Sequence, residues 1–309
     1  MVLSSLQQLS AQLLDAAPVP AVVAAAHDPH TLEAVFAAER DDLIRPILVG
    51  QKDEILDISR KLNHTVDPDS IIDCSDEKSC AREAVALVRA GKGKILIKGL
   101  LQTGILLNAV LNPDHGIRVS PLMSHVAILD VPKYHKLLFV TDGGMVVAPG
   151  LDDKRHILNN VVELCHFLGY RHPKAAVLCA AETISPRMPE TEDAAALKAA
   201  ALEGDFGSCL VEGPISMDLA TDPDSARIKG YHSPVAGDAD ILLVPSIATG
   251  NILCKALYGL AGGKMAGLVL GASVPITVNS RSATAEEKYS SILVCAGMAQ
   301  ERRPSPNDI

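Results

Sequence analysis

A chain of 309 residues with 48% hydrophobic content can bury a large core, and its length suits two domains better than one. Acidic residues outnumber basic ones 37 to 28, giving a net charge of −9, and without a Lys/Arg-rich run there is no footprint for nucleic acid. The N-terminal MVLSSLQQLSAQLLDAAPVP lacks the basic start of a signal peptide and the longest apolar runs are too short to span a bilayer, so no membrane association is expected.

The apolar pattern switches between short β-rich runs and longer helical ones, which predicts a mostly parallel sheet covered by helices. Residues 5–16 read as a helix, 21–26 as a strand, and 29–40 as a helix opened by Asp28 as N-cap. Residues 44–49 form the next strand, 52–62 and 77–90 amphipathic helices, 95–98 a strand and 104–111 a helix. In HVAILDVPKYHKLLFVTDGG two strand-like runs, 126–131 and 137–141, flank a Pro-Lys-Tyr-His turn and predict a hairpin. The alternation resumes with helices over 152–168, 193–203, 252–261 and 285–298, and strands over 175–180, 209–212, 241–244, 266–270 and 275–278. The polar residues 300–309 are expected to fray. The Gly/Pro-bearing segments 143–150 and 271–275 suggest lobe crossings, dividing the chain into 1–147, 148–273 and a final strand and helix over 274–309.

The seven cysteines are odd in number, scattered and free of any CxxC pair, which fits reduced thiols in a cytoplasmic protein better than a disulfide frame or a zinc site. The strand runs 241–244 and 275–278 each break into a small polar loop and then start a helix. Such loops aim backbone N–H groups and the positive end of a helix dipole at one spot, which suits phosphate. The second loop adds Ser280, Arg281, Glu286 and Glu287. A guanidinium fork, a hydroxyl and a carboxylate so close together suit acyl transfer to or from phosphate. Against this, an isolated Ser-Arg pair is usually a solvated turn, and Glu-Glu-Lys at a helix start is usually dipole and charge pairing.

Seven ordered blocks weigh against that plainer interpretation: IKGLLQTGILLNAVLN, SPLMSHVAILDVP, FVTDGGMVVAP, AAETISPRMPETEDAAALK, EGPISMDLA, KGYHSPVAGDADILLVPSIATGN and SRSATAEEK. Through them the chain resembles the phosphate acetyl/butyryltransferase family, and its butyryltransferase branch more than the acetyltransferases. The resemblance implies a three-layer α/β/α two-domain fold like that of the isocitrate and isopropylmalate dehydrogenases, with the last helix returned to the first lobe and Ser280 to Glu287 at the cleft. It further implies a cofactor-free acyltransferase that moves a short acyl group, butyryl or acetyl, reversibly between coenzyme A and inorganic phosphate by direct thiol attack. Acyl-CoA, coenzyme A and phosphate are then the partners, and a homodimer paired through the helix around 193–203 is expected.

The same resemblance assigns residues. Ser280 would donate to the developing oxyanion or to phosphate, and Arg281 would hold phosphate. Glu287 stands where the family places a carboxylate, as base for a thiol whose ordinary pKa is near 8.5. Lys98 and Thr103 match the family's KG-xxx-T block as a second strand-to-helix anion site, and Ser124, Asn251 and Lys255 are expected to line the cleft or the coenzyme channel. No metal is expected, because a turn accounts for Asp142 to Gly144, a helix start for Asp152 and Asp153, and an N-cap for Asp28. The chain also departs from the family: Asn108 replaces a usual Arg, Val146 and Gly150 replace an Asn and an Asp, and Gly143 replaces a Cys of the acetyltransferase branch. Those losses keep a second reading open, a catalytically impaired protein that binds coenzyme A or acyl phosphate. A metal- and NAD-dependent dehydrogenase of the same fold is disfavoured, since no Asp/His cluster and no dinucleotide fingerprint is visible.

Overall fold

Short apolar strands, buried on both faces as parallel strands under helices are, form the centre of each of two units in the computed structural model, which describes residues 3–13, 17–280 and 282–301. One unit joins Gln7–Ser120 to Ala266–Ile309, the other Met1–Leu6 to Pro121–Met265.

In the first of these units the strands are β1 (Val19–Ala24), β2 (Ile44–Gly50), β3 (Ile72–Asp73), β4 (Ile95–Lys98), β10 (Lys264–Leu270) and β11 (Ile276–Thr277). They lie in the order β3-β2-β1-β4-β11-β10, parallel except for β10 against β11. The helices are α1 (Leu6–Leu13), which starts at the unit boundary, α2 (Pro29–Arg40), α3 (Lys52–Lys61), α4 (Glu77–Arg89), α5 (Thr103–Val110) and α11 (Ala285–Glu301). The connections through α2 and α3 step one way along the sheet and the connection through α4 steps back. Right-handed crossovers therefore put α4 on the opposite face from α2 and α3. The packing agrees: α11 lies on α2 and α5 lies on α4, so the unit has three layers. Local chemistry starts the helices where the sequence suggests. Asp28 accepts the Thr31 N–H at 2.8 Å ahead of Pro29, and Asp76 accepts the Lys78 and Ser79 N–H groups at 2.9 and 3.0 Å.

The other unit contains β5 (Ser124–Asp130), β6 (Leu138–Thr141), β7 (Lys174–Leu178), β8 (Leu210–Ile215) and β9 (Ile241–Leu243), in the order β5-β6-β9-β7-β8. The expected hairpin is the antiparallel pair β5 and β6; the other neighbours are parallel. Helices α6 (Leu151–Phe167) and α7 (Pro189–Glu203) carry the chain across one face, and α8 (Met217–Thr221) and α9 (Pro223–Ile228) return it across the other to β9. After β9 comes α10 (Ile247–Lys255).

Three expectations need correction. The crossings fall at 120/121 and 265/266, not at 147/148 and 273/274, because the hairpin is built into the second sheet through pairs such as Phe139 with Ile241. The Gly-rich stretch after β6 is a tight loop inside that unit. Helix α10 starts five residues earlier than expected, because Ser246 caps it by accepting the Thr249 N–H at 3.4 Å. The short elements β3, α8 and α9 were not anticipated at all. Residues 302–309 of the expected tail lie outside the described residues. Among the described residues no helix is long and apolar enough to cross a membrane, and all seven cysteines are free thiols.

Candidate functional site

Strands β1, β4 and β11 are adjacent and parallel, so the loops that follow them leave from one edge of the sheet. Ligands of open α/β sheets bind beyond such carboxyl ends. Lys98, the last residue of β4, is buried; its backbone N–H donates to Thr277 Oγ1 at 3.3 Å and its Nζ to the Gly99 carbonyl at 3.4 Å. Gly99 then runs across the end of β1, donating to the Ala24 carbonyl at 2.9 Å. A Cβ there would sit 2.2 Å from the Ala25 oxygen, so only glycine lets the chain pass. Three residues later Gln102 donates its N–H to Glu77 Oε2 at 2.8 Å, and half-buried Thr103 opens α5.

After β11, Asn279 is buried and donates to Ser291 Oγ at 2.9 Å, which fixes the loop to α11. Ser280 is exposed; its Oγ lies 3.0 Å from Ser282 Oγ and accepts the Ser282 N–H at 3.4 Å. Arg281 lies outside the described residues. Glu287 has a role the sequence reading did not give it. Its Oε2 accepts the Thr284 N–H at 2.8 Å and the Thr284 hydroxyl at 3.1 Å, while Thr284 Oγ1 accepts the Glu287 N–H at 3.3 Å. This is a capping box, and Glu287 is 6% exposed within it. Its signature, Thr-Ala-Glu-Glu, was readable in the sequence. Beside it Lys288 is buried and donates to Asp28 Oδ2 and Thr31 Oγ1, both at 2.7 Å, tying α11 to the start of α2. Burial pushes the Asp28 carboxyl up, but the bonds from Lys288 and Thr31 and the Lys288 charge outweigh it and hold the group below its ordinary value. Lys98, Thr103, Ser280 and Glu287 thus share one edge of one unit.

The other unit holds the remaining candidates. Ser124 is 1% exposed at the start of β5, with its hydroxyl accepting from Asn160 Nδ2 at 2.9 Å. That burial makes it part of the strand's packing and not the channel-lining group expected. Asn251 and Lys255 are exposed, one helical turn apart on α10. Asn251 Nδ2 donates to the Gly143 carbonyl at 3.3 Å, so the α10 start and the loop after β6 form one surface. Asp142 organises that loop: its carboxylate accepts the N–H groups of Gly144 and Met145 at 2.7 and 2.8 Å, and those of His125 and Val146 at 3.0 and 3.3 Å. Four donors commit it to the turn. Among the described residues no group of three or more His, Cys, Asp or Glu is placed to hold a metal.

Residues 77–296 match the family model described as phosphate acetyl/butaryl transferase. The chain belongs to that family. It is 40% identical to the phosphate butyryltransferase of Clostridium acetobutylicum, over 90% of this chain and 92% of that protein. It is also similar to the crystal structure of a branched-chain phosphotransacylase from Enterococcus faecalis V583, with 33% identity, a TM-score of 0.78 and coverage of 91% of this chain and 99% of that one. The fold alone extends to a 4-hydroxythreonine-4-phosphate dehydrogenase from Klebsiella pneumoniae, at 15% identity and a TM-score of 0.50, covering 92% of this chain and 100% of that one. The fold is therefore the dehydrogenase-like α/β type that the resemblance implied.

The departures from the family pattern have structural counterparts. At Gly143 a Cβ would lie 3.0 Å from the Gly250 backbone carbon, so the larger side chain of the acetyltransferase branch needs α10 to shift. At Gly150, Asp153 accepts the Gly150 N–H at 3.2 Å at the start of α6. Asn108 is exposed on α5.

Proposed function

We propose that this chain is a phosphate acyltransferase that moves a short acyl group, butyryl or acetyl, reversibly between coenzyme A and inorganic phosphate. The family match over residues 77–296, which takes in β4, α5, β11 and most of α11, carries this reading. In the direction that makes thioester, the thiol sulfur attacks the acyl carbon, the bond from that carbon to the phosphate oxygen breaks, and phosphate leaves with its charge. Arg281 and Lys98 are the proposed phosphate holders, and the exposed Ser280 hydroxyl donates to the oxyanion or to phosphate. Glu287 is the proposed base for the thiol proton, its carboxylate oriented by Thr284. Thr103 adds an anion contact at the start of α5, and Asn251 and Lys255 offer exposed donors to coenzyme A. Coenzyme A and phosphate are substrates in this scheme, and no resident cofactor takes part.

The protein is further proposed to be cytoplasmic, in keeping with seven unpaired thiols, and homodimeric through α7, whose Leu202 is 85% exposed. Sedimentation that shows a monomer at micromolar concentration would remove the dimer. The function is tested by thiol release from a panel of acyl-CoA esters with and without phosphate. Phosphate-dependent release from short-chain esters supports the reading; binding of coenzyme A without release selects the impaired binding protein; turnover that needs a nicotinamide cofactor would revive the dehydrogenase.

A further inference from the structure

Cys74 and Cys80 stand on either side of the turn that starts α4. Cys74 follows β3 directly and donates its N–H to the Gly50 carbonyl at 3.0 Å. Cys80 lies in the first turn of α4, its N–H donating to the carbonyl of the N-cap residue Asp76 at 3.0 Å. The turn folds one side chain onto the other. The Cys80 thiol donates to the Cys74 carbonyl at 3.8 Å, and its sulfur is also within hydrogen-bond reach of the Cys74 sulfur.

Exposure divides the two thiols. Cys74 is part-exposed, whereas Cys80 is fully buried. Of the other five thiols only Cys179 is part-exposed, and it donates to the Glu190 carbonyl at 3.5 Å. Burial, with the charges of Glu83 and Asp73, pushes the Cys74 thiol up, and hydrogen bonds from Cys80 and Ser79 offset only part of that. Burial, followed by the charges of Cys74 and Asp76, pushes Cys80 up to about 11. Neither thiol is therefore a reactive nucleophile by itself. What the site offers is a pair, in which the second thiol is already in place once the first has reacted.

We propose that Cys74 and Cys80 form a redox-sensitive clasp, closed to an internal disulfide by exchange with a small-molecule disulfide. The Cys74 thiolate attacks one sulfur of the small disulfide, forming a mixed disulfide and releasing one small thiolate. The Cys80 thiolate then attacks Cys74 Sγ, which closes the internal bond and releases the second small thiolate. Two protein thiols lose two protons and two electrons, and the small disulfide is reduced to two thiols. In a reducing compartment the clasp stays open and closes only when small disulfides accumulate. Closure takes the sulfurs from hydrogen-bond contact to a bond of about 2.05 Å, which draws the first turn of α4 toward the end of β3. Glu77 opens that turn and its Oε2 holds the Gln102 N–H just ahead of Thr103, so the movement reaches the start of α5.

The test is incubation of the folded whole chain with oxidised glutathione, followed by acid quenching, alkylation of free thiols, trypsin digestion and mass spectrometry. It reads the bond whether or not the protein transfers acyl groups. Trypsin cuts after Lys78, between the two cysteines, so the clasp appears as a linked pair of peptides ending at Lys78 and Arg82. Wild type is expected to give that pair, faster as pH rises because the Cys74 thiol must ionise, and to lose it on reduction with dithiothreitol. Cys80→Ala removes the resolving thiol, so the glutathione adduct should remain on Cys74. Cys74→Ala should leave Cys80 unmodified. Hydrogen exchange at the Gln102 amide should be faster in the closed form. Absence of the linked pair from wild type, a bond from either cysteine to a different one, or no adduct on Cys74 in Cys80→Ala overturns the clasp. Unchanged exchange at Gln102 overturns its reach to α5.

Discussion

Glu287→Gln separates two roles that converge on one carboxylate. In the structure Glu287 Oε2 takes two bonds from Thr284, at 2.8 and 3.1 Å, and the side chain is 6% exposed. Glutamine keeps an oxygen able to accept from the Thr284 N–H, and Gln is an accepted partner in a capping box, so the stability cost should stay under about 1 kcal/mol. Loss of a general base costs about 10²- to 10⁴-fold in rate, or roughly 3–5.5 kcal/mol in the barrier. The kinetic effect should therefore exceed the stability effect severalfold. Thr284→Ala is the control: it removes the hydroxyl that reciprocates the cap, lowers stability by about 1 kcal/mol and spares most of kcat. The assay is kcat for thioester formation from acyl phosphate and coenzyme A across pH, with thermal unfolding of the same preparations. The deficit of Glu287→Gln should shrink as pH rises through the thiol pKa near 8.5, because the thiol then ionises without help. If Glu287→Gln keeps wild-type rates at neutral pH, the carboxylate is a helix cap only and the proton acceptor lies elsewhere.

Arg281→Ala should raise the KM for phosphate and lower turnover about a hundredfold, read by initial rates; unchanged phosphate dependence would exclude Arg281 as the phosphate holder. Gly99→Ala puts a Cβ 2.2 Å from the Ala25 oxygen, so it should cost on the order of 2 kcal/mol, a drop of about 5 °C in thermal midpoint. An unshifted midpoint would refute the close crossing of β1. Lys288→Met leaves the Asp28 carboxylate buried without its ammonium and should cost about 3–5 kcal/mol near neutral pH. Because the Asp28 pKa is depressed from its usual 3.8, its contribution is present above that value and lost as pH falls through the lower folded one. The gap between wild type and variant in denaturant unfolding should accordingly narrow below about pH 4, and a gap that widens in acid would contradict the pairing.

Local signals in the sequence carried much of the fold. Helix α2 begins where Asp28 and Pro29 predict and β4 spans the predicted residues, because an N-cap and a four-residue apolar run each act within one turn or strand. What escaped depends on distant partners. Nothing near residue 120 shows that β6, paired with β5, will also pair with β9, so the Gly-rich loop after β6 reads as a lobe crossing. The helix expected over 252–261 in fact begins at Ile247, and Gly250 within it lets the α10 backbone lie against Gly143, where a Cβ would be 2.7 Å from the Gly143 Cα. Among the candidate residues, Lys98, Thr103, Ser280 and Glu287 share an edge because β4 and β11 are neighbours, an adjacency no short motif encodes. Ser124 was misjudged for the same reason, its hydroxyl being taken by Asn160 from α6. The Lys288 bridge to Asp28 joins residues at opposite ends of the chain and could not be read at all.

The most direct test of the account is phosphorus NMR of purified protein incubated with butyryl-CoA and inorganic phosphate, with no metal or other cofactor added. The account expects an acyl phosphate resonance that grows in step with free thiol and disappears when excess coenzyme A drives the reaction back. Thiol release without acyl phosphate, or no reaction with any short-chain acyl-CoA, would contradict it.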